Sequence, residues 1–279
     1  MTLIVSIINK RRAIQVSVRR ITSNYGSAVV LHSDDQNKSL YVRCQDGHFA
    51  LSYTGLARIQ HQGTDQYLAK TLAMANIPYR SVKDALNLLE GPVRAAFQDE
   101  LQRLPRIVPT LFVIGGIAFG GKRRAKGMVH GHVALTHGKY SQIVDDSKEK
   151  VHAFGSISAI PVASEKRLKD LAQSGFFRTA DRASAVEELV KFIRASSSTT
   201  ADGRYVGRAC VSTVIEAESD GSCDMQYHWP GGKREICTAM MVTPGFTGVL
   251  KVNGSDPTMS PVKFTQGEGL KQRDPGGKD

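Results

Sequence analysis

Two hydrophobic periodicities alternate along this chain in separate blocks, and their order narrows the choice of fold. Apolar residues run continuously or at every second position through residues 3–53, which predicts strands joined by turns. Helical spacing follows at 64–76 and 81–104. Strands are predicted again at 108–119, 127–135 and 151–156, helices at 164–174 and 180–195, and strands at 205–216 and 223–229. Segregated blocks of this kind favour an α+β fold, in which mainly antiparallel sheets pack together beneath helices.

Local signals predict where the helices begin and bend. Thr64 or Asp65 can cap the first helix. Ser81 precedes Asp84 by three residues, close to a capping box, so the second helix should begin after Ser81. Gly91-Pro92 should bend or break that helix, since proline lacks the N–H of a regular turn.

Length and composition predict one domain with a tail. The chain has 279 residues, of which 41% are hydrophobic, enough for a core that needs no disulfide or metal. We expect a domain over residues 1–245. Residues 246–279 turn to Gly, Pro, Lys and Asp, a composition with too few apolar residues to order itself, and predict a flexible tail.

Cysteine spacing and hydropathy predict a cytoplasmic protein without a membrane span. The four cysteines are far apart and form no Cys-x-x-Cys pair, which favours reduced thiols over zinc or disulfides. They are Cys44, Cys210, Cys223 and Cys237. The longest apolar run, at 110–119, is far shorter than the roughly 20 residues that a bilayer requires.

The remaining patterns predict no cofactor and no metal. His130 and His132 lie two apart on a predicted strand, but no carboxylate or cysteine at ligand spacing joins them, which favours a surface pair. The glycines at 115, 116, 120 and 121 lead into no Gly-Lys-Ser/Thr sequence and form no phosphate-binding loop. The formal net charge of +11 permits a nucleic-acid or acidic partner, although few aromatic residues interleave the basic clusters.

The amino terminus offers the elements of a nucleophilic site. Removal of Met1 would place the hydroxyl of Thr2 beside its own α-amine, whose pKa near 8 suits a local base. Lys38 could stabilise the developing alkoxide, and the backbone N–H of Gly55 could face an oxyanion. The alternatives are a plain strand start, a hairpin lysine and a turn glycine.

These pieces, taken in order, resemble the proteasome β-subunit and its bacterial relatives among the N-terminal-nucleophile (Ntn) hydrolases, over roughly residues 2–230. The resemblance rests on the start Met-Thr-Leu-Ile-Val, on Arg19-Arg20-Ile21-Thr22, Lys38, Tyr53-Thr54-Gly55-Leu56-Ala57 and Phe154-Gly155-Ser156, and on residues 202–207. It implies a four-layer αββα sandwich of two mainly antiparallel sheets covered by helices.

The resemblance also assigns roles to individual residues. Thr2 falls at the nucleophile, Lys38 at the activating lysine and Gly55 at the oxyanion N–H. Ser156 and Asp202 fall near the residues that tune the terminal amine, with a turn serine and a loop or cap aspartate as their alternatives. Two positions depart from the family: Val18 stands where an aspartate is expected to hold the lysine, and Tyr205 replaces a supporting serine.

Two functional classes follow. The first is a threonine-type peptidase or amidohydrolase acting on a peptide or amide substrate, with a charge relay impaired at Val18. The second is a catalytically inactive subunit that assembles as a homo-oligomer, a ring or a dimer, and meets an acidic partner through its basic surface. Nucleic-acid binding is a weaker third class.

Overall fold

The computed structural model describes the chain in segments. These are residues 2–9, 11–25, 28–33, 38–103, 111–120, 124–134, 139–144, 150–155, 157–197, 206–216, 223–230 and 236–253. Within them, most strands belong to two large sheets, and four short strands form two separate hairpins. The hairpins are β3 (Ile21–Tyr25) with β4 (Ala28–Ser33) and β7 (Arg58–Ile59) with β8 (Gln62–Gly63).

The first sheet carries the amino terminus and is antiparallel throughout. Its strands are β1 (Leu3–Ile8), β2 (Arg12–Val18), β12 (Lys150–Gly155), β13 (Cys210–Glu216) and β14 (Cys223–His228). They lie in the order β12-β1-β2-β13-β14. Strand β1 therefore has a neighbour on each side, so the residue that precedes it is held at the end of a central strand.

The second sheet is mainly antiparallel. Its strands are β5 (Ser39–Arg43), β6 (Gly47–Thr54), β9 (Leu111–Gly120), β10 (Arg124–Ala134), β11 (Lys139–Val144), β15 (Ile236–Thr243) and β16 (Phe246–Asn253). They lie in the order β11-β10-β9-β6-β5-β15-β16, in which β5 and β15 form the one parallel pair among the described strands.

Helices cover the outer face of each sheet. Helix α1 (Thr64–Met74) and the continuous helical stretch of α2 (Val82–Leu88), a π turn (Leu89–Val93) and α3 (Arg94–Gln102) pack on the second sheet. Helices α4 (Val162–Gln173), α5 (Phe176–Thr179) and α6 (Arg182–Ser196) pack on the first. Short 3₁₀ turns lie at Ile77–Tyr79 and Ile157–Ala159. No helix in the described segments has the length and hydrophobicity to cross a bilayer.

Strand alternation explains the two apolar layers. Residues two apart on a strand share a face, so Leu3, Val5 and Ile7 of β1 all enter the core beneath α4–α6. Phe49, Leu51 and Tyr53 of β6 enter the second core, beneath α1–α3. The other face of each sheet contacts the opposite sheet, since β1 and β2 both meet β6 and β9. The predicted α+β, four-layer αββα sandwich is confirmed.

The local predictions were confirmed at one helix start and wrong at another. Ser81 and Asp84 form the reciprocal capping box before α2. Pro92 lies inside the π turn, which accommodates its missing N–H. Helix α1, however, begins after Gly63 without a side-chain cap, because the Thr64 hydroxyl donates to the carbonyl of Leu56 instead.

The carboxyl-terminal part of the second sheet was not predicted. Strands β15 and β16 pair along their whole length, so the sheet continues to Asn253 and the predicted boundary at residue 245 falls inside this hairpin. Strand β11 was also missed. The rest of the predicted tail, residues 254–279, lies outside the described residues.

Candidate functional site

Thr2 lies at the entry to β1, at one end of the first sheet. Only 1% of its surface is exposed. Leu3, the next residue, pairs with Gly155 at the end of β12. Gly155 has a φ of +94°, and a Cβ there would lie 1.8 Å from the Thr2 carbonyl oxygen. A glycine at position 155 is therefore required for the close approach of these two backbones.

Lys38 reaches Thr2 from the second sheet. It directly precedes β5 and is 5% exposed. Its Nζ donates hydrogen bonds to Oγ1 of Thr2 and to the backbone carbonyl of Arg20. Its own carbonyl accepts from the N–H of Tyr53 at 3.2 Å, which extends the β5–β6 ladder to this residue. The side chains of Thr2 and Lys38 therefore meet where the two sheets face each other.

The Arg20 carbonyl owes its position to the anchoring of the preceding residue. The N–H of Arg19 donates to the carbonyl of Ala209 at 3.0 Å, and its side chain is buried. The guanidinium carbon lies 5.0 Å from the ring centre of Tyr227 and 4.5 Å from that of Trp229. Cation–π contacts that are shielded from water contribute about 2 kcal/mol. This anchor fixes the end of β2 beside Lys38.

Gly55 follows the last residue of β6 and has a φ of +99°, a conformation that favours glycine. Its neighbour Thr54 is buried, and the Thr54 hydroxyl lies 3.4 Å from the place that a Cβ of Gly155 would occupy. The β6 end therefore lies at the same edge of the sandwich as Thr2. The role of Gly55 as an oxyanion donor stays a prediction.

The other predicted positions differ in what the structure says of them. Val18 is fully buried and belongs to the apolar core beneath α4–α6. The departure from the family pattern therefore fills a hydrophobic layer. Ser156, Asp202 and Tyr205 lie outside the described residues, and their roles stay predictions.

Sequence reasoning missed several residues that build this edge. The Arg20 carbonyl could not be recognised in the sequence, because every residue has a backbone carbonyl whatever its side chain. Gly155 was noted only as part of a motif, although a glycine at a strand end is a recognisable sign of close backbone approach. Ser17, Ser39, Ser52 and Gln15, which link the two sheets, read in sequence as the polar face of half-exposed strands.

Two cysteines and two histidines in the described residues are held in unreactive forms. Burial raises the pKa of the Cys44 and Cys210 thiols to about 12, so neither is a thiolate nucleophile. Burial lowers the pKa of His48 and His228 to about 4, which keeps both imidazoles neutral.

The described residues contain no group of three or more His, Cys, Asp or Glu that could hold a metal. His130 and His132 lie two apart on β10, as the sequence analysis placed them on one strand.

Comparison with known proteins finds solved structures that have a similar fold. Anbu (ancestral beta-subunit) from Yersinia bercovieri has a TM-score of 0.54 and 12% sequence identity, covering 80% of this chain and 86% of that chain. An Anbu (Gly-1) mutant from Hyphomicrobium sp. strain MC1 has a TM-score of 0.52 and 14% identity, covering 77% of this chain and 82% of that chain. No family model matches the sequence, and no curated protein does.

These neighbours correct the resemblance drawn from the sequence. Assignment to the proteasome β-subunit family was wrong, because the structural neighbours are Anbu proteins, which are proteasome-like but distinct. Identities of 12% and 14% establish the fold alone. The protein therefore shares its fold with these Anbu proteins.

Proposed function

We propose that this protein is an N-terminal threonine hydrolase that cleaves amide or peptide bonds once Met1 has been removed. One observation carries the proposal: Nζ of Lys38 donates a hydrogen bond to Oγ1 of Thr2. The two residues come from different sheets and are both almost fully buried. A charged amine beside a hydroxyl at a strand entry is the arrangement that lowers the free energy of an alkoxide.

We propose that the α-amine of Thr2 is the base and that Lys38 acts as an ammonium group. An ammonium group has no lone pair, so in this form Lys38 stabilises the Thr2 alkoxide and does not accept its proton. The hydroxyl proton is free to go to another acceptor. The α-amine of Thr2 itself becomes such an acceptor when Met1 is removed, because its ordinary pKa near 8 leaves part of it neutral at neutral pH. Until Met1 is removed, this nitrogen belongs to the peptide bond between Met1 and Thr2 and cannot act as a base.

The reaction then balances with the groups at this edge. Thr2 Oγ1 attacks the substrate carbonyl as the α-amine takes the hydroxyl proton, and the oxyanion faces a backbone N–H, for which we propose that of Gly55. Collapse transfers the proton to the leaving amine and leaves an acyl ester on Thr2. Water, deprotonated by the same α-amine, attacks the ester; the acyl–Oγ1 bond breaks, the proton on the α-amine passes to Oγ1 of Thr2, and the carboxylic acid leaves.

Supporting groups set the rate. We propose that Ser156 and Asp202 tune the α-amine, as the sequence pattern suggests. Val18 places an apolar group where a carboxylate is expected, and loss of one supporting member of a catalytic constellation lowers rate by about three to four powers of ten. We therefore expect slow turnover, although the nucleophile remains reactive.

Val18 also favours a second candidate, a catalytically inactive subunit of a homo-oligomer. In that case the hydrogen bond between Lys38 and Thr2 would only stabilise the packing of the two sheets. The net charge of +11 would attract an acidic partner. Assembly as a homo-oligomer is proposed for both candidates. We further propose cytoplasmic residence, supported by the free thiols of Cys44, Cys210 and Cys223.

A β-lactone probe separates the two candidates. The rate constant for covalent modification is measured by intact mass for the wild type and for Lys38→Met. We expect modification of the wild type and a loss of about a hundredfold or more in Lys38→Met, since one group that stabilises transition-state charge is worth about that much.

Lys70→Met is the matched control, because Lys70 is exposed on α1. It should react like the wild type. A wild type that the probe does not modify after Met1 removal would support the inactive subunit and reject the hydrolase.

A further inference from the structure

Four polar side chains link the two sheets immediately behind the Thr2–Lys38 pair. Oγ of Ser17 lies 2.9 Å from Oγ of Ser39, and Oγ of Ser39 lies 2.7 Å from Oγ of Ser52. Ser52 donates to Oε1 of Gln15 at 2.9 Å. Ser17 and Gln15 belong to β2 of the first sheet, whereas Ser39 and Ser52 belong to β5 and β6 of the second. We refer to these four residues as the inter-sheet chain.

The inter-sheet chain has one direction. A hydroxyl carries a single proton, and that of Ser52 goes to Gln15. Ser52 must therefore accept a hydrogen bond from Ser39, so the hydroxyl proton of Ser39 is already donated. Ser39 must then accept from Ser17. All four side chains are at most 1% exposed, so each bond is made where a lost partner costs most.

The inter-sheet chain begins close to both Thr2 and Lys38. Ser39 is the residue next to Lys38. Ser17 pairs with Ile4, which is two residues from Thr2. At about 3.3 Å per strand residue, the attachment points lie roughly 3 Å and 7 Å along the strands from Lys38 and Thr2. Apolar contacts between sheets tolerate small slides, but hydrogen bonds are directional and do not.

We propose that Ser17, Ser39, Ser52 and Gln15 are positioning residues, which hold the two sheets so that Lys38 reaches Oγ1 of Thr2. This inference rests on the proposed function and names the residues on which the alignment of its site depends. A displacement of 1 Å at a reacting group costs about a hundredfold in rate. The inter-sheet chain sets the position of the Lys38 amine through Ser39, the residue next to Lys38.

The first test is spectroscopic and does not depend on activity. Lysine labelled with ¹³C at Cε is introduced into the full chain, and the Lys38 signal is assigned by its disappearance in Lys38→Met. Ser39→Ala and Ser52→Ala should each shift the Lys38 signal and change its titration with pH. Ser212→Ala is the control, since Ser212 is equally buried in the first sheet but bonds to His228 at 2.9 Å. It should leave the Lys38 signal unchanged.

The second test is the rate of modification by the β-lactone probe. Ser39→Ala and Ser52→Ala should lower it about tenfold or more, whereas Ser212→Ala should not. Ser17→Ala should lower the rate less, because Ser17 is the first donor of the inter-sheet chain. Without it, Ser39 still donates to Ser52, and Ser52 still donates to Gln15. Ser39→Thr, which keeps the hydroxyl, should restore the Ser39→Ala rate towards the wild-type value.

The outcomes distinguish the two claims. A wild type that does not react rejects the proposed function, and the Lys38 signal still decides whether the chain positions the lysine. If Ser39→Ala does not fold, as judged by circular dichroism, Ser52→Ala and Ser17→Ala carry both measurements. An unchanged Lys38 signal in the folded variants, with rates within about twofold of the wild type, would overturn the inference.

Discussion

Replacing Gly155 with alanine tests the geometry around Thr2 directly. The new Cβ would lie 1.8 Å from the Thr2 carbonyl oxygen, whereas real Cβ atoms essentially never come within 3.0 Å of a neighbour. One of the two backbones must therefore move by about 1.2 Å to restore that separation. The φ of +94° adds strain of about 1–2 kcal/mol for any residue with a side chain.

Both effects have measurable sizes. A shift of about 1 Å at the nucleophile should lower the rate of β-lactone modification about a hundredfold. Crowding of about 1–3 kcal/mol and the backbone strain together should lower the free energy of unfolding by about 2–5 kcal/mol in urea denaturation.

Gly245→Ala separates strain from displacement, because Gly245 also has a positive φ, +77°, but nothing lies within 4 Å of its Cβ position. It should lose only about 1–2 kcal/mol of stability and keep its reactivity. A folded Gly155→Ala that reacts within about threefold of the wild type would show that this contact does not position Thr2.

Three further predictions concern groups around the sandwich. Arg19→Ala removes the cation–π contacts, and we expect urea denaturation to show a loss of about 2 kcal/mol in the free energy of unfolding. Modification by the β-lactone probe should also be slower, because the Arg20 carbonyl loses its anchor. Unchanged values of both would contradict the anchoring role. His48, with a pKa of about 4 when folded and about 6.5 when unfolded, should cost stability as pH falls below 6.5, reaching about 2 kcal/mol at pH 5. Denaturation at pH 7, 6 and 5 should show this slope reduced in His48→Gln, and an equal slope would refute the assignment. Ser81→Ala should lose about 1 kcal/mol by removing the α2 cap and should not alter probe modification, which a changed rate would contradict.

Most of the layered architecture could be predicted because its signals are local. Leu3, Val5 and Ile7 alternate with residues of the other face, and Ser81 with Asp84 marks a helix start. Such patterns depend on residues that are near one another in sequence. The order of these elements was then sufficient to favour packed antiparallel sheets beneath helices.

The parts that were missed depend on partners far away in the chain. Strands β15 and β16 lie next to a Gly- and Pro-rich segment, and β15 is ordered by pairing in parallel with β5, nearly two hundred residues earlier. Gln15 and Ser17 alternate with apolar residues as a solvated strand face does, yet they face the other sheet. Thr2 was singled out by its place after Met1 and Lys38 as a charge partner, and the resemblance then assigned a role to each. No local rule, however, places a side chain from one sheet against the end of another.

Mapping a covalent adduct shows whether Thr2 is an amino-terminal nucleophile. An epoxyketone forms a ring only with a hydroxyl and a free α-amine on the same residue, so the full chain is treated with it and analysed by intact mass and peptide mapping. We expect a chain that lacks Met1 and carries one adduct on Thr2, and no adduct in Thr2→Val. Retention of Met1, or a chain that lacks Met1 but carries no adduct on Thr2, would contradict it.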